Sequence, residues 1–140
     1  MIDVMVANAE ARIDVAYQDF QQIKQQARIP VMNDVAADVI DALQRRVGRQ
    51  SLSISDVAED INLSKRTLQR RLQQQMISYA SLRDKVRFNH AIDCLLTRNM
   101  SIEKTSSYLD FSDRTSFTNA FKRWTQLSPS AFRKLYRDYI

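Results

Sequence analysis

The feature that most constrains this 140-residue chain is its lack of glycine, since Gly48 is the single glycine and Pro30 and Pro129 are the only prolines. Average usage would give roughly ten glycines and about seven prolines in a chain of this length. β-Sandwiches, β-barrels and nucleotide-binding α/β folds need glycine in tight turns or in loops that hold phosphate. The scarcity therefore favours an all-α fold of helices joined by short connections.

The rest of the composition indicates a globular protein without a membrane span or a disulfide. Apolar residues make up 44% of the chain and charged residues 26%, a globular rather than a disordered balance. No apolar run approaches the roughly 18 residues of a membrane span, and the N-terminus lacks the pattern of a signal peptide. A single cysteine, Cys94, excludes an intramolecular disulfide and fits a reducing compartment, so we expect a cytoplasmic protein.

No arrangement of residues predicts catalysis, so we expect this protein not to be an enzyme. His90 is the single histidine and lies one helical turn before Cys94, which would provide half of a metal site. The sequence has no second cysteine or histidine to complete that site, and it has no glycine-rich phosphate loop. We expect both residues to be structural and the chain to use no metal or cofactor.

Charge is distributed unevenly along the chain. Residues 1–63 carry 6 Lys/Arg and 10 Asp/Glu, a net charge of −4, whereas residues 64–140 carry 15 and 6, a net charge of +9. A basic segment beside an acidic one indicates a surface for a polyanion, and nucleic acid is the leading candidate. A solvated basic face is the alternative that charge alone leaves open.

The first helix is predicted from Ala9 to Ala27. Its apolar residues recur at steps of 4, 3, 4, 3 and 4, a short heptad seam, and the helix ends before Pro30. The seam could dock on the chain's own domain, or it could form a homodimer with a second copy through residues 9–27. We divide the chain into this N-terminal helix or linker, residues 1–30, and a helical domain, residues 31–140.

Caps and apolar faces predict the remaining helices. Five of these helices, the second helix included, are preceded by a residue whose side chain can accept a backbone N–H. Gly48 suits the left-handed position at the end of the second helix. The predicted caps are Asn33, Ser53, Ser64, Ser101 and Ser128. The inward residues are Val35, Val39, Ile40, Leu43 and Val47 in the second helix, Leu82, Val86, Ala91, Cys94 and Leu95 in a long helix from Ser78 to Leu96, and Phe132, Leu135 and Tyr136 in the last helix.

One pattern occurs twice in the chain. Residues 54–63 match residues 102–111 at an offset of 48, and residues 68–72 match residues 117–121 at an offset of 49. Each copy is a short helix, a tight turn and a second helix opened by a cap, which is the helix-turn-helix pattern. Two such units in tandem are a much stronger signal than one.

The predicted fold class is all-α, with two helix-turn-helix subdomains joined by a long helix and an extra N-terminal amphipathic helix. We place the units at about 53–75 and 101–124, the linking helix at about 78–96 and a C-terminal helix at about 129–139. The linking helix would be roughly 28 Å long at 1.5 Å per residue. It could hold two helices in successive major-groove segments, which lie roughly 34–36 Å apart on one face of DNA.

Helical geometry predicts the outward face of the second helix in each unit. With residues 68 and 72, or 117 and 121, turned inwards, the opposite face carries arginine, glutamine, asparagine and threonine, which suit contacts to base edges. Basic and hydroxyl residues off this line suit phosphates. The candidate base-reading residues are Arg66, Gln69, Arg70, Gln73, Thr115, Thr118 and Asn119. The candidate phosphate-binding residues are Lys65, Thr67, Arg71, Arg114, Ser116, Lys122 and Arg123.

Three stretches carry a family resemblance. The first is Val57-Ala58 followed by residues 63–72 (LSKRTLQRRL), and the second is the spacing of Arg87, Ala91 and Leu95 in the linking helix. The third consists of residues 111–124 together with residues 128–133, which read SPSAFR. In them the chain resembles the AraC/XylS family of bacterial transcription regulators over about residues 33–137.

The resemblance implies a bacterial activator in the cytoplasm, at the nucleoid, that binds double-stranded promoter or operator DNA through two major grooves and works with RNA polymerase. Members are usually about twice this long, with an N-terminal domain that binds an effector or dimerises. We therefore expect either a C-terminal fragment or a naturally short regulator, whose dimerisation would use residues 9–27 or that missing domain.

The sequence departs from the family mainly in the second unit. Asp110 stands where members usually carry glycine, Thr105 and Ser106 replace an apolar residue and an alanine, and Asn119 replaces a frequent arginine. We therefore expect the second unit to act more through phosphate contacts than through bases. Asn62 and Asp110 are expected to be left-handed, because asparagine and aspartate tolerate that conformation best after glycine.

The alternative function is that of a basic helical module that binds proteins or RNA. Such a module could stack bases on aromatic side chains. Phe111, Phe117, Phe121 and Trp124 recur at helical core spacing, however, so we expect them to pack inside the domain.

Overall fold

The computed structural model describes residues 19–139, and this part of the chain is helical without a strand, which confirms the all-α class. The helices are residues 19–26 (α1), Asp34–Arg46 (α2), Ile54–Asp60 (α3), Lys65–Gln74 (α4), Tyr79–Ile92 (α5), Ile102–Tyr108 (α6), Arg114–Thr125 (α7) and Pro129–Tyr136 (α8). A π-helical turn, Asp93–Thr97, follows α5, and a 3₁₀ turn, Arg137–Tyr139, follows α8.

Serine side chains cap four helices as predicted. Each accepts the backbone N–H of the residue three positions later at 3.0–3.2 Å, which satisfies a donor that the helix itself leaves free. The capping residues are Ser53, Ser64, Ser101 and Ser128. Ser78 caps α5 and Asp113 caps α7 in the same way.

The predicted cap at Asn33 is wrong. The Asn33 side chain makes no capping hydrogen bond to α2. Instead the Gln75 side chain, from the end of α4, accepts the Ala36 backbone N–H at 3.0 Å and donates to the Asn33 carbonyl at 3.0 Å. The start of α2 lies against the end of α4, so a side chain from a distant part of the sequence takes the capping role.

The predicted inward residues of α2 and of the long helix are all buried, and all of them except Cys94 belong to one continuous core. That helix is α-helical only to Ile92, and its last residues, with Cys94 and Leu95 still inward, form the π-helical turn. The prediction that Leu135 faces inwards is wrong, because Leu135 is 48% exposed. Phe132 and Tyr136 face the core from α8, and Leu135 lies at the rim of a groove between α1 and α7.

The described part of α1 packs on the chain's own domain. Phe20 is fully buried, and its ring stacks on Tyr136 with centroids 5.0 Å apart. At the end of α1, Lys85 donates to the Gln26 carbonyl at 2.7 Å and Asn89 donates to the Ala27 carbonyl at 3.1 Å. The end of the predicted heptad seam is thus docked within the chain, and residues 9–18 of that prediction lie outside the described residues.

The sharp turns have the left-handed backbone that was predicted. Asn62 and Asp110 have φ angles of 60° and 61°, and Gly48 has a φ of 77°. Gly48 also donates its N–H to the Tyr108 carbonyl at 3.0 Å, and a Cβ there would lie 2.1 Å from the Tyr108 ring. Both the backbone conformation and the close approach therefore require glycine at this position.

Candidate nucleic-acid interface

Helix α4 concentrates positive charge. It carries Lys65, Arg66, Arg70 and Arg71 and no acidic residue. Leu68 and Leu72 are buried and fix its inner face. On the outer side, the candidate base readers Arg66, Gln69, Arg70 and Gln73 are exposed, as is Lys65, whereas Thr67 and Arg71 are half-buried.

Helix α7 repeats this arrangement in the second unit. Phe117 and Phe121 are fully buried, and the helix has three basic residues and no acidic one. The candidates Arg114, Thr115, Asn119, Lys122 and Arg123 are exposed, and Ser116 and Thr118 are half-buried. The hydrogen bond from the Ser116 backbone N–H, at 2.7 Å, lowers the pKa of the capping Asp113 carboxyl.

Many of these polar side chains have no internal partner. In residues 19–139 no hydrogen bond or ion pair engages the side chains of Arg66, Arg70 or Asn119. By contrast, Arg46 bonds the Ser51 carbonyl at 2.6 Å and pairs with Asp60 at 2.9 Å. The cations on the outer faces of α4 and α7 are therefore available to an external anion.

Three candidate phosphate ligands do have internal contacts. The Ser116 hydroxyl shares a hydrogen bond of 3.3 Å with the Ser112 hydroxyl. The Arg71 guanidinium lies 3.4 Å from the Asp34 carboxylate at the start of α2. Thr67 donates its N–H to the Ser64 hydroxyl at 3.1 Å and accepts the Ser64 O–H at 2.9 Å. Thr67 therefore has a structural role in the cap of α4 as well as its predicted one.

A groove of about 810 Å³ borders the outer face of α4. Lys65, Gln69 and Gln73 line one side, the exposed Met76 lines the end, and Arg83 of α5 lines the other side. The Arg83 Nε is buried without a hydrogen-bond partner among the described residues. Its guanidinium lies 5.8 Å from the centre of the Tyr79 ring. The groove thus extends the basic surface from α4 to α5.

The two helix-turn-helix units are joined by contacts that converge on the α6–α7 turn. The Asp110 carboxylate accepts the Leu52 backbone N–H at 2.8 Å, immediately before α3. Arg87, buried in α5, donates to the Leu109 carbonyl at 2.8 Å and to the Asp110 carbonyl. Burial lowers the pKa of Arg87 to about 10, although nearby carboxylates oppose this effect. These contacts tie the segment before α3 and the linking helix α5 to the turn that precedes α7.

Sequence reasoning missed the roles of several of these residues. Arg87 was recognised only as part of a family pattern, and Gln75 and Arg83 were not singled out. Arg87 stands in the sequence between two apolar residues, Val86 and Phe88, that are both buried, and an arginine flanked in this way is a signal that it bonds buried carbonyls. Gln75 and Arg83 have no comparable signal, because both lie at polar positions that look solvated.

The residues considered for a metal site have structural contacts. The His90 Nε2 lies 2.6 Å from the Gln44 Oε1, and burial lowers the pKa of His90. Cys94 is buried, and burial raises the pKa of its thiol to about 11.

The aromatic candidates pack as predicted, with Phe117 and Phe121 in the core and the half-buried Trp124 stacked on Phe88 at 5.1 Å. None of the helices within residues 19–139 has both the length and the hydrophobicity of a membrane span.

The chain is similar to known regulators. A family model described as a helix-turn-helix domain matches residues 57–135. The HTH-type transcriptional regulator VqsM of Pseudomonas aeruginosa is 33% identical over 84 residues, which cover 60% of this chain and 26% of that protein. The arabinose operon regulatory protein of Escherichia coli is 30% identical over 105 residues, which cover 74% of this chain and 36% of that protein.

A solved structure shares the fold. The transcriptional regulator CdpR from Pseudomonas aeruginosa matches with a TM-score of 0.66 and 30% sequence identity, over 74% of this chain and 32% of that one. The chain thus spans about a quarter to a third of the length of these three proteins.

Proposed function

This chain belongs to the AraC/XylS type of helix-turn-helix transcription regulators, which are not enzymes, and from that premise we propose that it binds double-stranded DNA sequence-specifically as a regulator at promoters. The observation that carries the proposal is the repeated pair α4 and α7. Each presents unpartnered basic and amide side chains on the face opposite its buried leucines or phenylalanines. Two such helices suit two successive major-groove segments of one duplex.

We assign direct base contacts to the exposed centres of these faces. Arginine can bond guanine through two hydrogen bonds, glutamine or asparagine can bond adenine, and a threonine methyl can contact thymine. The proposed base readers are Arg66, Gln69, Arg70 and Gln73 of α4 and Thr115, Thr118 and Asn119 of α7. The α4 set has two arginines and the α7 set has none, so we expect α4 to contribute more of the specificity.

The phosphate contacts lie around these base readers. They position the protein on the duplex and supply most of the salt-dependent affinity. The proposed ligands are Lys65, Thr67, Arg71, Arg114, Ser116, Lys122 and Arg123. We add Arg83, because it lines the groove beside Lys65 and Gln69 and extends the basic surface from α4 to α5.

The proposed partners follow from action at promoters. A regulator bound there works beside RNA polymerase, in the bacterial cytoplasm, and we infer both for this chain. A homodimer through residues 9–27 would have to form without Phe20, which is occupied by Tyr136.

Selection of bound sequences from a random duplex pool tests the function. We expect two preferred blocks about one helical turn apart, with affinity that falls steeply as salt rises. Equal affinity for the selected duplex and a scrambled one at moderate salt would overturn the proposal. Tighter binding to RNA of the same sequence would instead support a basic RNA-binding module.

A further inference from the structure

The Leu52 peptide is held from two directions. Its N–H donates to the Asp110 carboxylate at 2.8 Å, and its carbonyl accepts the Tyr79 hydroxyl at 2.7 Å. Asp110 belongs to the second helix-turn-helix unit and Tyr79 to the linking helix α5. Leu52 itself is fully buried and directly precedes the first unit. The segment that leads into the first unit is therefore fixed to both of the other parts of the domain.

Asp110 is in turn fixed to the linking helix. Arg87 of α5 donates to its carbonyl, while its carboxylate reaches Leu52. The first unit, the linking helix and the second unit thus form a closed triangle of hydrogen bonds. A carboxylate that accepts a backbone N–H makes a charge-assisted bond, which is roughly twice as strong as a neutral one.

Backbone conformation alone does not explain why residue 110, in the α6–α7 turn, is an aspartate. With a φ of 61°, residue 110 would be less strained as glycine. Asn62, the equivalent residue of the first unit, has a φ of 60°, and its side chain makes no hydrogen bond within residues 19–139. The contact to Leu52 is therefore the feature that distinguishes the two turns.

We propose that Asp110 is a positioning residue that sets the spacing between the two DNA half-sites that this chain accepts. The proposal rests on the proposed function, because it requires that α4 and α7 bind one duplex. The triangle holds the two helices at one separation and one relative rotation. One inserted base pair rotates the second half-site by about a tenth of a turn, so the DNA or the protein must deform to keep both contacts.

The test compares three proteins on three duplexes. The proteins are wild type, Asp110→Gly, which keeps the left-handed turn and removes the carboxylate, and the matched control Asn62→Gly. The duplexes are the one selected by the wild type and two versions with one base pair inserted or removed between its blocks. We expect the wild type and Asn62→Gly to lose at least about tenfold in affinity on the altered duplexes, and Asp110→Gly to lose less than about threefold.

The outcomes separate the inference from the proposed function. If the wild type selects a single block, reading by two units fails, and the inference fails with it. If it selects two blocks but Asp110→Gly keeps the full spacing penalty, only the inference fails.

A measurement without Asp110→Gly covers the case in which that variant does not fold. Spin labels at Gln74→Cys and Arg123→Cys in the DNA-free protein report the distance between α4 and α7. A single narrow distance supports the inference, and a broad distribution overturns it.

Discussion

The Gln75 side chain, at the C-terminal end of α4, caps α2 by accepting the Ala36 backbone N–H at 3.0 Å. The same amide group donates to the Asn33 carbonyl and to the Asn33 side chain, at 3.0 and 3.2 Å. A helix that carries the candidate base readers is thereby fixed to the helix that opens the domain. Gln75 is half-buried, so water replaces these bonds only in part.

Replacement of Gln75 by alanine should lower the free energy of unfolding by about 1–2 kcal/mol, which is the usual cost of a lost N-cap. Urea denaturation of the two proteins measures the difference. Gln74→Ala is the matched control, since Gln74 is exposed on the same helix. Equal stability of the two variants would show that the cap contributes nothing.

The sequence predicted the local features of the fold. The four serine caps, the buried residues of α2 and the left-handed turns at Asn62 and Asp110 all follow from neighbours a few residues apart. Those features are governed by helix termini and by apolar periodicity, which act within one or two turns of helix.

The features that escaped prediction depend on how distant segments pack. Gln75 and Ala36 are 39 residues apart, and Leu52 and Asp110 are 58 apart, so no local pattern marks either bond. Leu135 was expected inside because its spacing fits an apolar stripe, yet Phe132 and Tyr136 occupy that contact. The outer face of α4 follows from one pair of buried leucines, whereas the place of Arg83 beside that face depends on how α5 packs.

Replacement of Gly48 by alanine should lower the free energy of unfolding by more than the roughly 1–2 kcal/mol that the left-handed conformation costs an alanine. The added Cβ would lie 2.1 Å from the Tyr108 ring, so that ring has to move. Denaturation of Gly48→Ala, Tyr108→Ala and the double variant measures this effect. We expect the double variant to be more stable than the sum of the two changes predicts. Strict additivity would mean that the ring moves without cost.

The two classes of DNA contact should respond differently to substitution. Arg70→Ala should weaken the free energy of binding to the selected duplex by about 1–3 kcal/mol, because a base contact is lost. The protein should also discriminate less between bases at that position. Lys65→Ala should weaken binding to all sequences and reduce the slope of affinity against salt by about 1. Binding titrations on selected and scrambled duplexes at several salt concentrations measure both effects.

Arg45→Ala is the control for these titrations. Arg45 is an exposed cation on the acidic helix α2, away from α4 and α7 in the sequence. It should change neither base preference nor the salt slope appreciably. A uniform loss for Arg70→Ala on every duplex would reassign Arg70 to a phosphate.

The stability of the domain should fall as the solution is acidified below neutral pH, because of His90. Burial lowers its pKa from the usual 6.5, with Asp93 opposing the shift and Arg98 adding to it. The unfolded chain therefore takes up a proton first as the pH falls below 6.5, and the folded state loses stability until the folded pKa is passed. Urea denaturation at pH 7.5 and 5.5 should show a larger loss for wild type than for His90→Gln. The same loss in both proteins would assign the pH dependence to other groups.

Phe20 should be a major contributor to the docking of α1. The Phe20 side chain is fully buried against Phe132 and Tyr136. Phe20→Ala should therefore lower the free energy of unfolding, for the part of the structure that depends on α1, by up to about 3–5 kcal/mol. Hydrogen exchange of residues 19–27 and urea denaturation distinguish local undocking of α1 from loss of the whole domain. Gln21→Ala, an exposed neighbour on the same helix, is the control and should change neither measurement.

The same variant tests whether the heptad seam is used within the chain or between chains. Phe20 in contact with Tyr136 cannot also fill the seam of a second copy, so we expect sedimentation of the wild type to be independent of concentration. If the seam formed a dimer instead, Phe20→Ala would dissociate it, and the wild-type sedimentation coefficient would rise with concentration while that of the variant would not. Faster exchange of residues 19–27 in Phe20→Ala, without a change in sedimentation, would assign the seam to the chain's own domain.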